Sequence, residues 1–229
     1  MTLLTPLYDK TYECMACKKK FTTKKVRSRF VKILNYDTDF YPSYHSEESN
    51  PIYYHINVCP NCGFSCSDDT SRYFPPNSLE LIKEKISKQW SANSYEGIRT
   101  TEDAINSYKL AIYSATLKQE KHIVLAGMYL RVAWLYRYLE NIEQEQRFMR
   151  LALHEYIQSY SVDDFKGTQM SEVKILYLIA ELSVRTNDYM QAVKYLSKVI
   201  EMQKRSLEPR LIEMAKERWY EIRDVQKHA

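Results

Sequence analysis

The spacing of apolar positions divides the chain near residue 77: short alternating runs precede that point, and periods of three to four residues follow it. In the first part, residues 8–13 predict a short strand and residues 25–34 a second one. Residues 37–51 turn to Asp, Pro, Ser, Asn and Tyr, which is loop chemistry. Residues 52–58 set Tyr54, Ile56 and Val58 against Tyr53, His55 and Asn57 and predict a third strand. Beyond the division, Asn77-Ser78-Leu79-Glu80 has the form of a cap opening a helix to about Trp90, and a polar connector carrying Gly97 follows. Thr100-Thr101-Glu102-Asp103 reads as another capped start, ahead of the stripe Ala104, Ile105, Tyr108, Ala111, Ile112 and Ala115. Further stripes predict helices at about 122–139, 142–159, 170–186 and 189–205, and Pro209 suits the first turn of a last one. The pattern as a whole predicts a mainly helical α+β protein, with a small β module at 1–77 and an antiparallel helical domain at 78–229.

Cysteine placement gives the β module its chemistry. Four of the five cysteines form two C-x-x-C pairs, Cys14/Cys17 and Cys59/Cys62. Each such turn presents two sulfurs, and two turns fill a tetrahedral shell of four. Gly63, directly after the second pair, can take the left-handed turn that frees backbone N–H groups toward sulfur. Strand, knuckle, strand, loop, strand, knuckle is a zinc-ribbon-like plan. The predicted cofactor is a structural Zn2+ held by Cys14, Cys17, Cys59 and Cys62; a shell filled by thiolates keeps no place for water and is not catalytic. So small a module buries few aliphatic side chains, and structural zinc binding is worth on the order of 10–16 kcal/mol. Redox chemistry of the C-x-x-C pairs is the competing reading. Cys66 reads as a small buried thiol outside the site, and His45 and His55 are the only other donors nearby. His122, His154 and His228 fall on helices without metal-binding spacing.

Charge narrows the partners. The formal net charge is +4, and four thiolates with one divalent ion (−4 + 2) would bring it to about +2, a weak drive toward nucleic acid or an acidic membrane. Locally, Lys18, Lys19, Lys20, Lys24, Lys25, Arg27 and Arg29 lie in a stretch with no acidic residue between Cys17 and Asp37, a candidate nucleic-acid patch. Local compensation of an anionic metal–thiolate centre explains the same lysines. With only four glycines, neither of the glycine-rich phosphate loops can be drawn. No run approaches the roughly 18 apolar residues of a membrane span, and the first residues lack a basic, apolar leader. A cytoplasmic protein with no membrane partner is the expectation.

The helical part resembles tetratricopeptide repeats, with small residues where paired helices touch. The best match is Leu176, Ile179, Ala180, Tyr189, Ala192, Leu196 and Val199; a looser one, 47 residues earlier, runs through Tyr129, Val132, Ala133, Tyr136 and Met149 to Ala152, with Glu145 where the repeat wants alanine. In such a scaffold the first helix of each pair lines a groove. Here that face offers Leu130, Trp134, Arg137 and Tyr138, then Lys174, Tyr177, Glu181 and Arg185, which suits a peptide with acidic and apolar anchors.

Finally, Cys14-x-x-Cys17, Asp37-Thr38-Asp39-Phe40, Asn50-Pro51-Ile52-Tyr53-Tyr54 and Val58-Cys59-Pro60-Asn61-Cys62-Gly63, with Arg99–Ala104, Lys109–Ala111 and Tyr129–Tyr136 behind them, resemble the bacterial domain-of-unknown-function 2225 family. That resemblance implies a cytoplasmic bacterial protein with a zinc-ribbon-like start and tetratricopeptide-like helices, and implies no particular activity. Packing of the 37–51 insert onto the helices is the expected role of its acidic-aromatic element. The function these features point to is a non-enzymatic, zinc-stabilised scaffold for an unknown protein or peptide; a nucleic-acid-binding ribbon and a zinc–thiol redox switch are the alternatives.

Overall fold

Alternation on either side of the first cysteine pair folds into a hairpin. In the computed structural model, which describes residues 4–91 and 95–227, β1 (Leu7–Glu13) and β2 (Lys20–Val26) pair antiparallel, from Leu7 opposite Val26 to Glu13 opposite Lys20. Phe21 and Thr23 are buried while Lys20 and Thr22 are exposed, the period of a strand with one covered face. The second strand therefore begins at Lys20 instead of residue 25. The Cys14 N–H donates to the Lys19 carbonyl at 3.0 Å and closes the knuckle one residue earlier. After Val26 the chain turns through a short 3₁₀ segment, Ser28–Phe30, into β3 (Ile33–Tyr36), which pairs irregularly with β4 (Pro42–Tyr44).

The strand expected over residues 52–58 is a correction. Pro51–Tyr54 is a 3₁₀ turn, and only β5 (Asn57–Val58) is extended, paired with β6 (Ser65–Cys66). Ile52, Tyr53, Tyr54, Ile56, Asn57 and Val58 are all buried, so the apparent alternation was one of residue type and not of environment. Two groups fix the turn. The Asn50 side chain accepts the Ile52 N–H at 2.9 Å, and the buried Arg99 donates to the carbonyls of Tyr53 (3.0 Å) and Ile56 (2.8 Å), which a ladder would otherwise use.

Seven helices follow among the described residues. α1 (Ser78–Lys85) starts after Asn77, which takes a left-handed φ of 65° and makes no side-chain cap, contrary to the expected one. At α2 (Thr101–Lys118) the capping box forms in full: the Asp103 N–H donates to Thr100 Oγ1 at 3.1 Å and the Thr100 N–H to Asp103 Oδ2 at 3.0 Å. Met1–Tyr36 and Pro42–Glu120 form one compact unit, and Asp37–Tyr41 and Lys121–Ala229 another. The first unit thus takes in α1 and α2, beyond the division drawn at residue 77. Its cysteines pack with Phe21, Phe64, Ile82 and Ile86, and the buried face of α2 lies against β5 and β6.

In the second unit, α3 (His122–Tyr138), α4 (Ile142–Val162), α5 (Glu172–Arg185), α6 (Tyr189–Glu201) and α7 (Pro209–Lys227) each pack on the next, and α7 also meets α5. Two of the turns are built alike. Glu140 and Asn187 have φ of 55° and 65°, and the following Asn141 and Asp188 accept the N–H groups of Gln144 and Gln191. Ten of the residues of α5, from Val173 to Ser183, are buried, as suits a helix surrounded by α4, α6 and α7. No helix among the described residues is long and apolar enough to cross a membrane.

Candidate functional site

The four paired cysteines converge. Their sulfurs lie within 4.8 Å of one another, with Cys14 to Cys62 at 3.6 Å and Cys17 to Cys59 at 3.7 Å. A disulfide would need about 2.05 Å, whereas a tetrahedron with arms of about 2.3 Å has edges of about 3.8 Å. The separations fit thiolates around one ion. Both knuckles share a backbone pattern: Lys18 N–H to Cys14 carbonyl and Gly63 N–H to Cys59 carbonyl, each at 2.9 Å, with φ of 61° at Lys18 and 72° at Gly63. The turns aim N–H groups at sulfur, Cys17 toward Cys14 at 3.5 Å, and Asn61 and Cys62 toward Cys59. Hydrogen bonds from Cys14 and Cys62 pull the Cys59 thiol down to about 2, while bonding to Cys59 and Cys62 together with burial pushes Cys14 far up. So dense a sulfur set cannot ionise throughout unless a cation sits among it.

The second knuckle is covered by one side chain that the sequence reading did not single out. Trp90 donates its indole N–H to the Pro60 carbonyl at 2.9 Å, and a Cβ at Gly63 would clash with its ring, 2.6 Å from Cδ2. Cys66 stays outside the cluster, and burial pushes its thiol up to about 12, away from reactivity. No histidine joins the sulfurs among the described residues: His45 is exposed, and His55 lies 3.7 Å from Asp69 and stacks on Tyr108. His122 meets Glu155 at 2.6 Å, and His228 lies outside the described residues.

The basic stretch is spread over different surroundings. Lys18, Lys19, Lys20 and Arg29 are exposed, Lys24 pairs with Asp9 at 2.8 Å, and Arg27 lies over the Tyr8 ring. Lys25 points inward, donating to the Tyr54 carbonyl at 2.8 Å, and burial lowers it to about 8.

On the helical unit, six of the eight residues assigned to a groove surround residues 37–41 of the same chain. Asp39 is wholly buried; the Arg137 guanidinium reaches it at 2.7 Å and the Trp134 indole N–H at 3.0 Å. Asp37 bridges Arg137 (3.0 Å) and Arg185 (2.8 Å). Burial alone would raise Asp37, but the Thr38 N–H and the Arg185 and Arg137 charges hold it below the usual carboxylate range. Thr38 donates its hydroxyl to Glu181 at 2.6 Å and accepts from Arg185 at 2.7 Å. Phe40 packs on Tyr177, with centroids 5.6 Å apart and Lys174 above its ring, and Tyr41 packs on Trp134. Of the other two, Leu130 is buried and Tyr138 is exposed. Glu145, on Arg137 at 2.6 Å, and Arg218, on Glu181 at 2.8 Å, complete the network and were not foreseen. Glu145 had a signal: it stands where the repeat pattern asks for alanine.

Fold and site together define a mainly helical α+β protein with a buried four-cysteine cluster suited to metal. The chain belongs to the family described as "Uncharacterized protein conserved in bacteria (DUF2225)", whose match spans residues 7–222. Comparison with curated proteins and with solved structures finds no match.

Proposed function

We propose that this protein is a non-enzymatic interaction scaffold of the bacterial cytoplasm. A structural zinc held by Cys14, Cys17, Cys59 and Cys62 stabilises a zinc-ribbon-like module, and tetratricopeptide-like helix pairs offer a face to a protein or peptide. The observation that carries this reading is the closure of the sulfur set. Cysteine supplies four ligands and no fifth donor joins them among the described residues, so a tetrahedral ion held there has no position for water or substrate. Zinc is the divalent ion for which such an all-thiolate tetrahedron is a routine structural site, and a reducing compartment keeps its ligands available. On the helices, polar and aromatic groups are gathered on one face around Asp37–Tyr41 instead of being scattered over the surface.

Elemental analysis tests the metal. About one zinc per chain is expected, and Cys59→Ser should lose it together with the dispersed amide spectrum of the hairpins. Iron in its place, or no metal in chain purified under reducing conditions, would overturn the zinc assignment. For the scaffold, crosslinking in native cells should give a saturable protein partner. Turnover of a small molecule by the chain with no such partner would overturn it.

A further inference from the structure

Residues 37–41 sit on the helices as a bound peptide does. Four consecutive side chains are each engaged by the helices, with the two arginines shared between neighbours: Asp37 takes Arg137 and Arg185, Thr38 takes Glu181 and Arg185, Asp39 takes Arg137 and Trp134, and Phe40 takes Tyr177 under Lys174. Side-chain-by-side-chain reading of a short segment is how peptide-recognition surfaces gain specificity. Core packing would instead bury several apolar residues, and this stretch brings charges to the contact.

Charge points the same way. Without the segment, the helices set Arg137, Arg185, Arg218 and Lys174 against Glu145, Glu181 and Glu221, a cationic excess that Asp37 and Asp39 face. The strands that carry the segment pair irregularly. β3 and β4 form a separate two-stranded sheet with an irregular register, and all four residues of β3 are exposed. Such a hairpin is marginally stable by itself. Phe40 is also held at a φ of 64°, a left-handed conformation that a residue with a Cβ adopts only at a cost.

We infer that the helical unit is a recognition site for an Asp-x-Asp-aromatic segment, filled in cis by residues 37–41 and open to a partner protein presenting the same chemistry in trans. This rests on the scaffold reading and names its ligand. Tethering gives the cis segment an effective concentration of the order of millimolar, so a partner displaces it by adding anchors of its own.

The test is fluorescence anisotropy with a labelled synthetic peptide spanning residues 35–43, titrated with full-length chain. The variant Asp37→Ala/Asp39→Ala/Phe40→Ala removes the cis ligand. It should bind the peptide saturably, at least tenfold tighter than wild-type chain does, and Arg137→Ala added to it should abolish binding. A variant with wild-type helical circular dichroism that fails to bind, or that binds equally well without Arg137, overturns the inference. Should the triple variant not fold, Asp39→Asn, which keeps the shape and weakens the seat, takes its place under the same two criteria. A cellular partner that binds the Arg137→Ala chain as well as wild type would overturn this inference and leave the scaffold reading standing.

Discussion

Arg99 is a buried cation held by the Tyr53, Ile56 and Tyr95 carbonyls and the Thr23 hydroxyl, and burial lowers its pKa. Its fork satisfies acceptors that no ladder reaches, so Arg99→Met strands them in the interior. The expected loss is about 2–4 kcal/mol of unfolding free energy, read as a lower urea midpoint. A midpoint within error of wild type would show that those carbonyls find other donors. Lys25 poses a different problem, because its charge is disfavoured in the folded state. Between about 8, its folded value, and 10.5, its ordinary one, the unfolded chain binds more protons than the folded chain does. The Lys25 contribution therefore improves with rising pH across that window, by up to about 3 kcal/mol. The difference in stability between wild type and Lys25→Met, followed from pH 7.5 to 10.5, isolates it; a flat difference refutes the assignment. At this scale the cysteines were legible, because C-x-x-C spacing is local. The partners of Arg99 and Asp39 were not, since both meet groups brought in from distant stretches of chain.

Elements were most legible where chemistry is local. The Thr100–Asp103 box and the Pro209 start announced α2 and α7, whereas the alternation in residues 52–58 misled because Asn50 and Arg99 decide that backbone. Removing half of the box by Asp103→Ala should cost about 1 kcal/mol, measured by thermal unfolding, with Asp103→Glu recovering part of it. An unchanged midpoint would mean α2 is held by packing alone. The second knuckle is stricter. Gly63 combines a φ of 72° with the Trp90 ring in the place of a Cβ. Gly63→Ala must both strain the turn and push the indole aside, and should weaken metal retention against a chelator at least tenfold. Retention equal to wild type would show that Trp90 moves freely. The turns at Glu140–Asn141 and Asn187–Asp188, 47 positions apart, are built alike, each with a left-handed residue followed by a side-chain cap.

For the whole molecule, composition bounded the partners better than it located them. The exposed lysines Lys18, Lys19 and Lys20 form a short patch, while Lys24 and Lys25 are engaged elsewhere. Binding to a generic oligonucleotide should be weak and lost by about 0.2 M salt. Tight binding above that salt, reduced by Lys18/Lys19/Lys20→Ala, would revive the nucleic-acid reading. That five residues between two strands belong with helices begun eighty positions later was beyond any periodicity. The placement of the tryptophans has a practical consequence. One indole, Trp90, lies on the sulfur knuckle, and another, Trp134, donates to the buried aspartate of residues 37–41. Emission from single-tryptophan versions of the chain would therefore report separately on the sulfur cluster and on the seating of residues 37–41, an optical gauge for the proposed metal centre and the proposed recognition site.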